Sequence, residues 1–206
     1  MNPATLPLNL RSAIREALPV LRGWGGKEER PYRMAELIVR QRPVTVVEIG
    51  VFGGQSLIPQ AMALKVLGSG RIYGIDPFDI DVIAKELSQT DNPPQWWVKQ
   101  NMNVVREDTL RAIKDFGLGR QVVMILAQSR DCSTLFQEID ILHIDGAHSE
   151  NGVMNDVNLY AKRVRRGGYI WMDDTHFPSL DKALRELEYF CDMIQDYGSY
   201  CLYRVK

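Results

Sequence analysis

Five short runs rich in Val and Ile recur along the sequence, at 44–49, 71–76, 121–127, 139–145 and 168–172, with helix-like stretches between them. The runs are mostly continuous in apolar character rather than alternating, which marks strands buried on both faces. Buried strands alternating with helices predict an open, mostly parallel α/β sheet with right-handed crossovers and helices on both faces.

Residues 55–67 are apolar nearly all round and predict a deeply buried helix, with Pro59 near its start expected to bend it. Residues 104–116 place Val105, Leu110, Ile113 and Phe116 on one side. Residues 151–165 put Val153, Val157, Tyr160 and Val164 on one stripe, with Gly167-Gly168 expected to stop the helix. Leu180, Leu184, Leu187, Cys191 and Ile194 continue a helical period, and 199–205 reads as a final strand after Gly198. Residues 1–43 read as a helical cap interrupted by Gly23-Trp24-Gly25-Gly26, and 79–101 as a lid-like insert carrying Trp96-Trp97. Without repeats or low-complexity tracts, residues 1–206 are expected to form a single domain.

The first run ends in Glu48-Ile49-Gly50-Val51-Phe52-Gly53-Gly54-Gln55-Ser56. An acid followed by glycines before a buried helix describes a strand-to-helix turn where a ligand approaches the backbone. The spacing is GxxGG, whereas a dinucleotide loop would read GxGxxG. The carboxylate of Glu48, taken as lying beside the pocket, would repel a diphosphate and favour a cationic ligand. S-adenosylmethionine, with a sulfonium and an ammonium but no phosphate, fits better than a nicotinamide dinucleotide. Asp76, 26 residues after Gly50, is placed to accept hydrogen bonds from ribose hydroxyls. Phe78 is placed to pack on the adenine, and Gln128 and Ser129 to meet its edge.

Asp145 ends the fourth run, and Asp173-Asp174 end the fifth. The carboxyl ends of parallel strands share one edge, where open α/β folds bind ligands. Three carboxylates there would repel one another unless a positive charge sits between them. An all-oxygen set favours Mg²⁺, with Ca²⁺ or Mn²⁺ as alternatives, and the ion would acidify a bound hydroxyl. His148 is placed to take the proton, His176 is a weaker candidate or a pocket wall, and His143, inside a strand, suits a core histidine.

The glycine loop, Gly74-Ile75-Asp76-Pro77, Leu142-His143-Ile144-Asp145-Gly146-Ala147-His148-Ser149 and Asp173-Asp174 together resemble the class I S-adenosylmethionine-dependent methyltransferases. Within them, they are similar to the metal-dependent branch that includes macrocin O-methyltransferase. The resemblance implies a Rossmann-like, seven-stranded, mostly parallel sheet whose last strand is antiparallel and inserted between its neighbours. It implies cofactor contacts from Glu48, Gly50, Gly54, Ser56, Asp76, Gln128 and Ser129, to which the reading of the loop and of the second strand end adds Gly53 and Phe78, and Mg²⁺ held by Asp145, Asp173 and Asp174. His148 and Asp145 are the implied catalytic residues. The catechol O-methyltransferases carry a lysine where this chain has His148, and an asparagine where it has Asp174.

These readings point to an O-methyltransferase acting on a small-molecule hydroxyl, such as a glycosylated natural product, a vicinal diol or a phenol. The competing readings are a non-catalytic S-adenosylmethionine-binding protein and a nicotinamide-dependent oxidoreductase. With 25 Lys+Arg against 26 Asp+Glu, no nucleic-acid or membrane partner is expected, while a homo-oligomer stays open. Cys132, Cys191 and Cys201 form no CxxC and suit reduced thiols, and no signal-like or membrane-spanning run is evident, so a cytoplasmic location is expected.

Overall fold

The computed structural model describes residues 6–23, 29–87 and 99–206. Trp24 and Trp96-Trp97 lie outside them. The strands are β1 (Thr45–Ile49), β2 (Arg71–Ile75), β3 (Val122–Ile125), β4 (Ile139–Ile144), β5 (Val164–Asp173), β6 (Cys191–Asp196) and β7 (Tyr200–Val205). The helices are α1 (Leu8–Ala17), α2 (Arg30–Gln41), α3 (Leu57–Leu67), α4 (Ile80–Leu87), α5 (Met102–Asp115), α6 (Ser129–Cys132), α7 (Glu150–Tyr160) and α8 (Asp181–Phe190). One seven-stranded sheet runs in the order β3-β2-β1-β4-β5-β7-β6. Strands β1 to β5 pair in parallel, and β7 is inserted antiparallel between β5 and β6.

Successive strand residues point to opposite faces, and both faces are buried. Val46, Ile72, Ile141 and Trp171 pack with Ile14 of α1, Ile38 of α2, Leu57 and Ile58 of α3 and Val105 of α5. Val47, Ile75, Leu142 and Ile170 pack on the other face with Val157 and Tyr160 of α7 and Leu187 of α8. The N-terminal helices therefore share one core with the sheet. Residues Leu57 to Leu64 of α3 are all buried. Pro59 is the third residue of that helix, where the N–H it lacks belongs to the first turn and has no intrahelical partner anyway, so no bend follows from it.

Two sequence expectations change. Cys191–Asp196 is an edge strand, not the end of a helix: Cys191 is buried and the other five residues are exposed. Pairing with β7, including Met193 opposite Tyr203, outweighs the helical spacing of Cys191 and Ile194. Gly167-Gly168 does not stop α7, which gives way at Ala161–Arg163 to a 3₁₀ turn. The glycines instead lie within β5, where the register with β4 shifts between Ile139 and Ile141. A Cβ on Gly168 would lie 2.7 Å from Val164 Cγ1 and 2.8 Å from the Asp140 carbonyl oxygen. All three cysteines are buried free thiols.

Candidate active site

The carboxyl ends of β1, β2, β4 and β5 open into one cavity, lined by Gly50–Gly53, Gln55, Ser56, Asp76, Gln128, Ser129, Asp145, His148 and Asp174. The loop after β1 is shaped by chain-to-chain contact. Gly50 has φ +84, and a Cβ there would lie 2.0 Å from the Asp145 carbonyl oxygen. A Cβ on Gly53 would lie 2.1 Å from the carbonyl oxygen of Arg22. Only glycine allows the 145–146 and 22 backbones to close on this turn. Gly54 faces Ile58 and Thr109 and does not line the cavity.

Glu48 also lies outside the lining. It shares its face of β1 with Val46, beneath α3, and is fully buried. Its carboxylate accepts hydrogen bonds from Ser56 Oγ and Gln60 Nε2, both at 2.8 Å, and sits 3.3 Å from His143 Nδ1. Glu48 thus braces the loop and α3 from below instead of facing a ligand. Phe78 is likewise in the core, while Pro77, Val82, Ile83 and Met102 supply the apolar lining nearby.

Asp76 does face the cavity. Its Oδ2 accepts from the amides of Val51 and Phe52 at 3.0 and 2.9 Å, and Oδ1 from the Phe78 amide at 2.7 Å. A carboxylate offers about four lone-pair positions, so roughly one remains for a ligand hydroxyl. Burial pushes its pKa up, and these three amides pull against that.

The three strand-end aspartates separate into two groups that share Asp145. His143, Asp145 and Asp173 form the buried group, and Asp145, His148 and Asp174 the accessible one. Asp173 is paired with Arg30, which reaches in from the start of α2, and lies 3.6 Å from His143 Nε2. Burial opposes a charge on His143, but the flanking Asp173 and Glu48 carboxylates hold its pKa up at about 10. Asp173 is itself desolvated, yet His143 and Arg30 hold it below the ordinary carboxylate value. Asp145 is pushed well above that value by burial and by repulsion from Asp173. Asp174, with φ +54, brings Oδ2 to 2.8 Å from His148 Nε2. His176 is exposed against Phe177 and does not line the cavity.

A family model described as a methyltransferase domain matches residues 47–175, which hold the glycine loop, Asp76 and all three aspartates. The chain belongs to this methyltransferase family. Among relatives, the chain is 37% identical over 131 residues to an uncharacterized protein of Acanthamoeba polyphaga mimivirus, covering 64% of this chain and 51% of that protein. It is 31% identical over 131 residues to a flavonoid 3',5'-methyltransferase of Vitis vinifera, covering 63% of this chain and 46% of that protein. The chain therefore spans about half the length of the curated relatives it matches.

Solved structures share the fold. An O-methyltransferase of tomaymycin synthesis from Streptomyces achromogenes, in complex with S-adenosylmethionine, superposes with a TM-score of 0.63 at 16% identity, over 98% of this chain and 91% of that one. A Bacillus cereus O-methyltransferase with S-adenosylhomocysteine gives 0.60 at 17%, over 96% and 89%. The Rossmann-like, seven-stranded arrangement expected from the sequence is the one observed.

Among the described residues the three aspartates do not come together as one metal-binding group, and Arg30 and His143 flank Asp173 instead. The accessible group, two carboxylates and an imidazole, can hold a divalent cation. Its nitrogen donor suits Mn²⁺ or Zn²⁺ at least as well as Mg²⁺. Sequence reasoning missed Arg30, Glu86 and Asp156, which also line the cavity. Asp156 carried a signal: it is a charged residue on the apolar stripe of Val153, Val157 and Tyr160. Arg30 carried none, since its partner is 143 residues away.

Proposed function

We propose that the protein is an S-adenosylmethionine-dependent O-methyltransferase whose acceptor is a hydroxyl of a small phenol, vicinal diol or glycosylated natural product. The observation that carries this reading is one cavity with Asp76 and the glycine loop in its middle and the Asp145, His148 and Asp174 group beside them. Asp76 keeps a lone pair for a ribose hydroxyl, and the half-buried carboxylates suit a cationic cofactor. The cofactor, when bound, supplies an electrophilic methyl on sulfur.

His148, held against Asp174, is in place to accept the proton that the acceptor oxygen loses as it is methylated. Phe177, its ring centroid 5.5 Å from that of His148, limits where the imidazole can turn. A divalent cation, where one is bound, would be held by Asp145, His148 and Asp174 and would supply Lewis acidity to the acceptor hydroxyl; His148 would then serve as a ligand and not as the proton acceptor. The name of the Vitis vinifera relative supports a phenolic acceptor.

Thermal denaturation with S-adenosylhomocysteine tests the cofactor. At about 100 times its Kd a ligand adds about 2.7 kcal/mol of stability, which for a chain of this size raises Tm by roughly 5–10 °C. NAD should give no shift, and the reverse pattern would instead support an oxidoreductase. Methyl transfer to a catechol-type acceptor, assayed with EDTA and then with Mn²⁺ or Mg²⁺ restored, tests the cation separately.

A further inference from the structure

We propose that the Arg30 guanidinium is the resident cation of the acceptor end of the cavity, standing in the place of a divalent ion and stabilising the acceptor oxygen as it loses its proton. This rests on the chain being an O-methyltransferase.

Strand-end carboxylates call for positive charge, and the fold supplies it from α2. Asp173 has both oxygens engaged: Oδ1 accepts from the Asp174 amide at 2.9 Å, and Oδ2 is paired with Arg30 Nη1. Asp173 does not line the cavity, whereas Arg30 does, so a ligand at this point meets the guanidinium and not the carboxylate. The guanidinium is also held in place. The Arg30 side chain is 13% exposed, and its Cζ lies 5.7 Å from the ring centroid of the buried Tyr200, within reach of a cation–π attraction. The accessible group is close by. Carboxylate oxygens of Asp173 and Asp145 lie within 4.8 Å of each other, and Asp145 is in turn within 4.8 Å of His148 and Asp174. A divalent ion seated on Asp145, His148 and Asp174 would share this half-buried corner with a fixed positive charge, which opposes its binding.

A guanidinium keeps its proton throughout and presents its N–H donors in a planar fork, so one edge can hold Asp173 while another meets an oxygen in the cavity. In the reaction the acceptor oxygen bonds to the methyl carbon as the carbon–sulfur bond breaks. The electron pair of that bond stays on sulfur, and the acceptor proton passes to His148. Negative charge builds on the acceptor oxygen along this path, and donors already fixed toward such charge need no reorganisation. With Arg30 in this role His148 is not drawn off as a metal ligand and stays available for the proton.

Mn²⁺ binding to EDTA-stripped protein, followed by electron paramagnetic resonance, tests this without any acceptor. The wild type should bind Mn²⁺ with a Kd of roughly millimolar or weaker. Arg30→Gln should bind it at least about tenfold more tightly, because the repelling charge is gone and Asp173 is released. Arg30→Lys, which keeps the charge, should bind Mn²⁺ as weakly as the wild type. A wild-type Kd in the micromolar range overturns the proposal even if no variant folds, and so does an unchanged affinity in folded Arg30→Gln. Methyl transfer to a catechol-type acceptor is the second measurement. EDTA should leave the wild-type rate unchanged, whereas Arg30→Gln should lower kcat by about a hundredfold, the range of one oxyanion donor, and should respond to added Mn²⁺. Wild-type transfer abolished by EDTA overturns the proposal. Wild-type protein that neither binds S-adenosylhomocysteine nor transfers a methyl would remove the O-methyltransferase reading itself, and the acceptor role of Arg30 with it, whatever the Mn²⁺ result.

Discussion

At the scale of single residues, burial decides what each acid does. Asp156 has its pKa raised to about 7, chiefly by desolvation, with the Ser129 hydrogen bond pulling it down and Glu86 pushing it up. An unfolded aspartate titrates near 3.9. A folded pKa above the unfolded one means that the charged form is disfavoured in the fold. The resulting penalty is absent below about pH 4, grows up to about pH 7 and is constant above. Asp156→Asn removes this penalty. Its stability relative to wild type should improve by on the order of 2 kcal/mol between pH 5 and pH 8, read from urea denaturation at both values. A difference that does not change with pH would mean that Asp156 is not held in its neutral form.

Gly50 makes the opposite kind of demand, a steric one. Its φ of +84 and the 2.0 Å approach of a would-be Cβ to the Asp145 carbonyl leave no small adjustment. Gly50→Ala should cost about 2–4 kcal/mol, combining backbone strain with overpacking. Denaturation curves check this, and a loss under about 1 kcal/mol would show that the turn relaxes freely.

At the scale of elements, strands β1 to β5 were legible because buried parallel strands leave continuous apolar runs. Strand β6 was not, because an exposed edge strand needs only one buried residue, here Cys191, and its Met193 and Ile194 are half exposed. The strand-end acids were legible as a set, but not their directions. Strand parity puts Glu48 on the face opposite Val47 and Ile49, and only the packing of α3 reveals that Ser56 and Gln60 hold it there. Helix α7 illustrates a local signal with a tertiary use. Ser149 caps it, accepting from the Gly152 amide at 3.1 Å, and also donates to Glu86 of α4. Ser149→Ala should cost about 1 kcal/mol for the cap alone, and more if the link to α4 matters. A Ser149→Thr control keeps a hydroxyl that can cap. If both variants melt together at the wild-type temperature, the cap contributes nothing.

At the scale of the whole molecule, a chain of alternating charges runs from the N-terminal helices into the sheet: Arg30 on α2, Asp173 on β5, His143 on β4 and Glu48 on β1. The near-neutral total of 25 basic and 26 acidic residues conceals both this chain and the acidic cavity beside it. The Asp173 side chain is 1% exposed and that of Arg30 13%, so water screens their attraction poorly. Removing one partner of such a pair strands the other's charge in the interior, whereas removing both does not. Arg30→Ala should therefore destabilise the fold by about 3 kcal/mol. The double variant Arg30→Ala with Asp173→Asn should recover a large part of that loss, because no orphaned carboxylate remains. Chemical denaturation of the wild type, both single variants and the double variant closes the cycle. Additive losses would mean that Arg30 acts by packing α2 against the sheet rather than by neutralising Asp173.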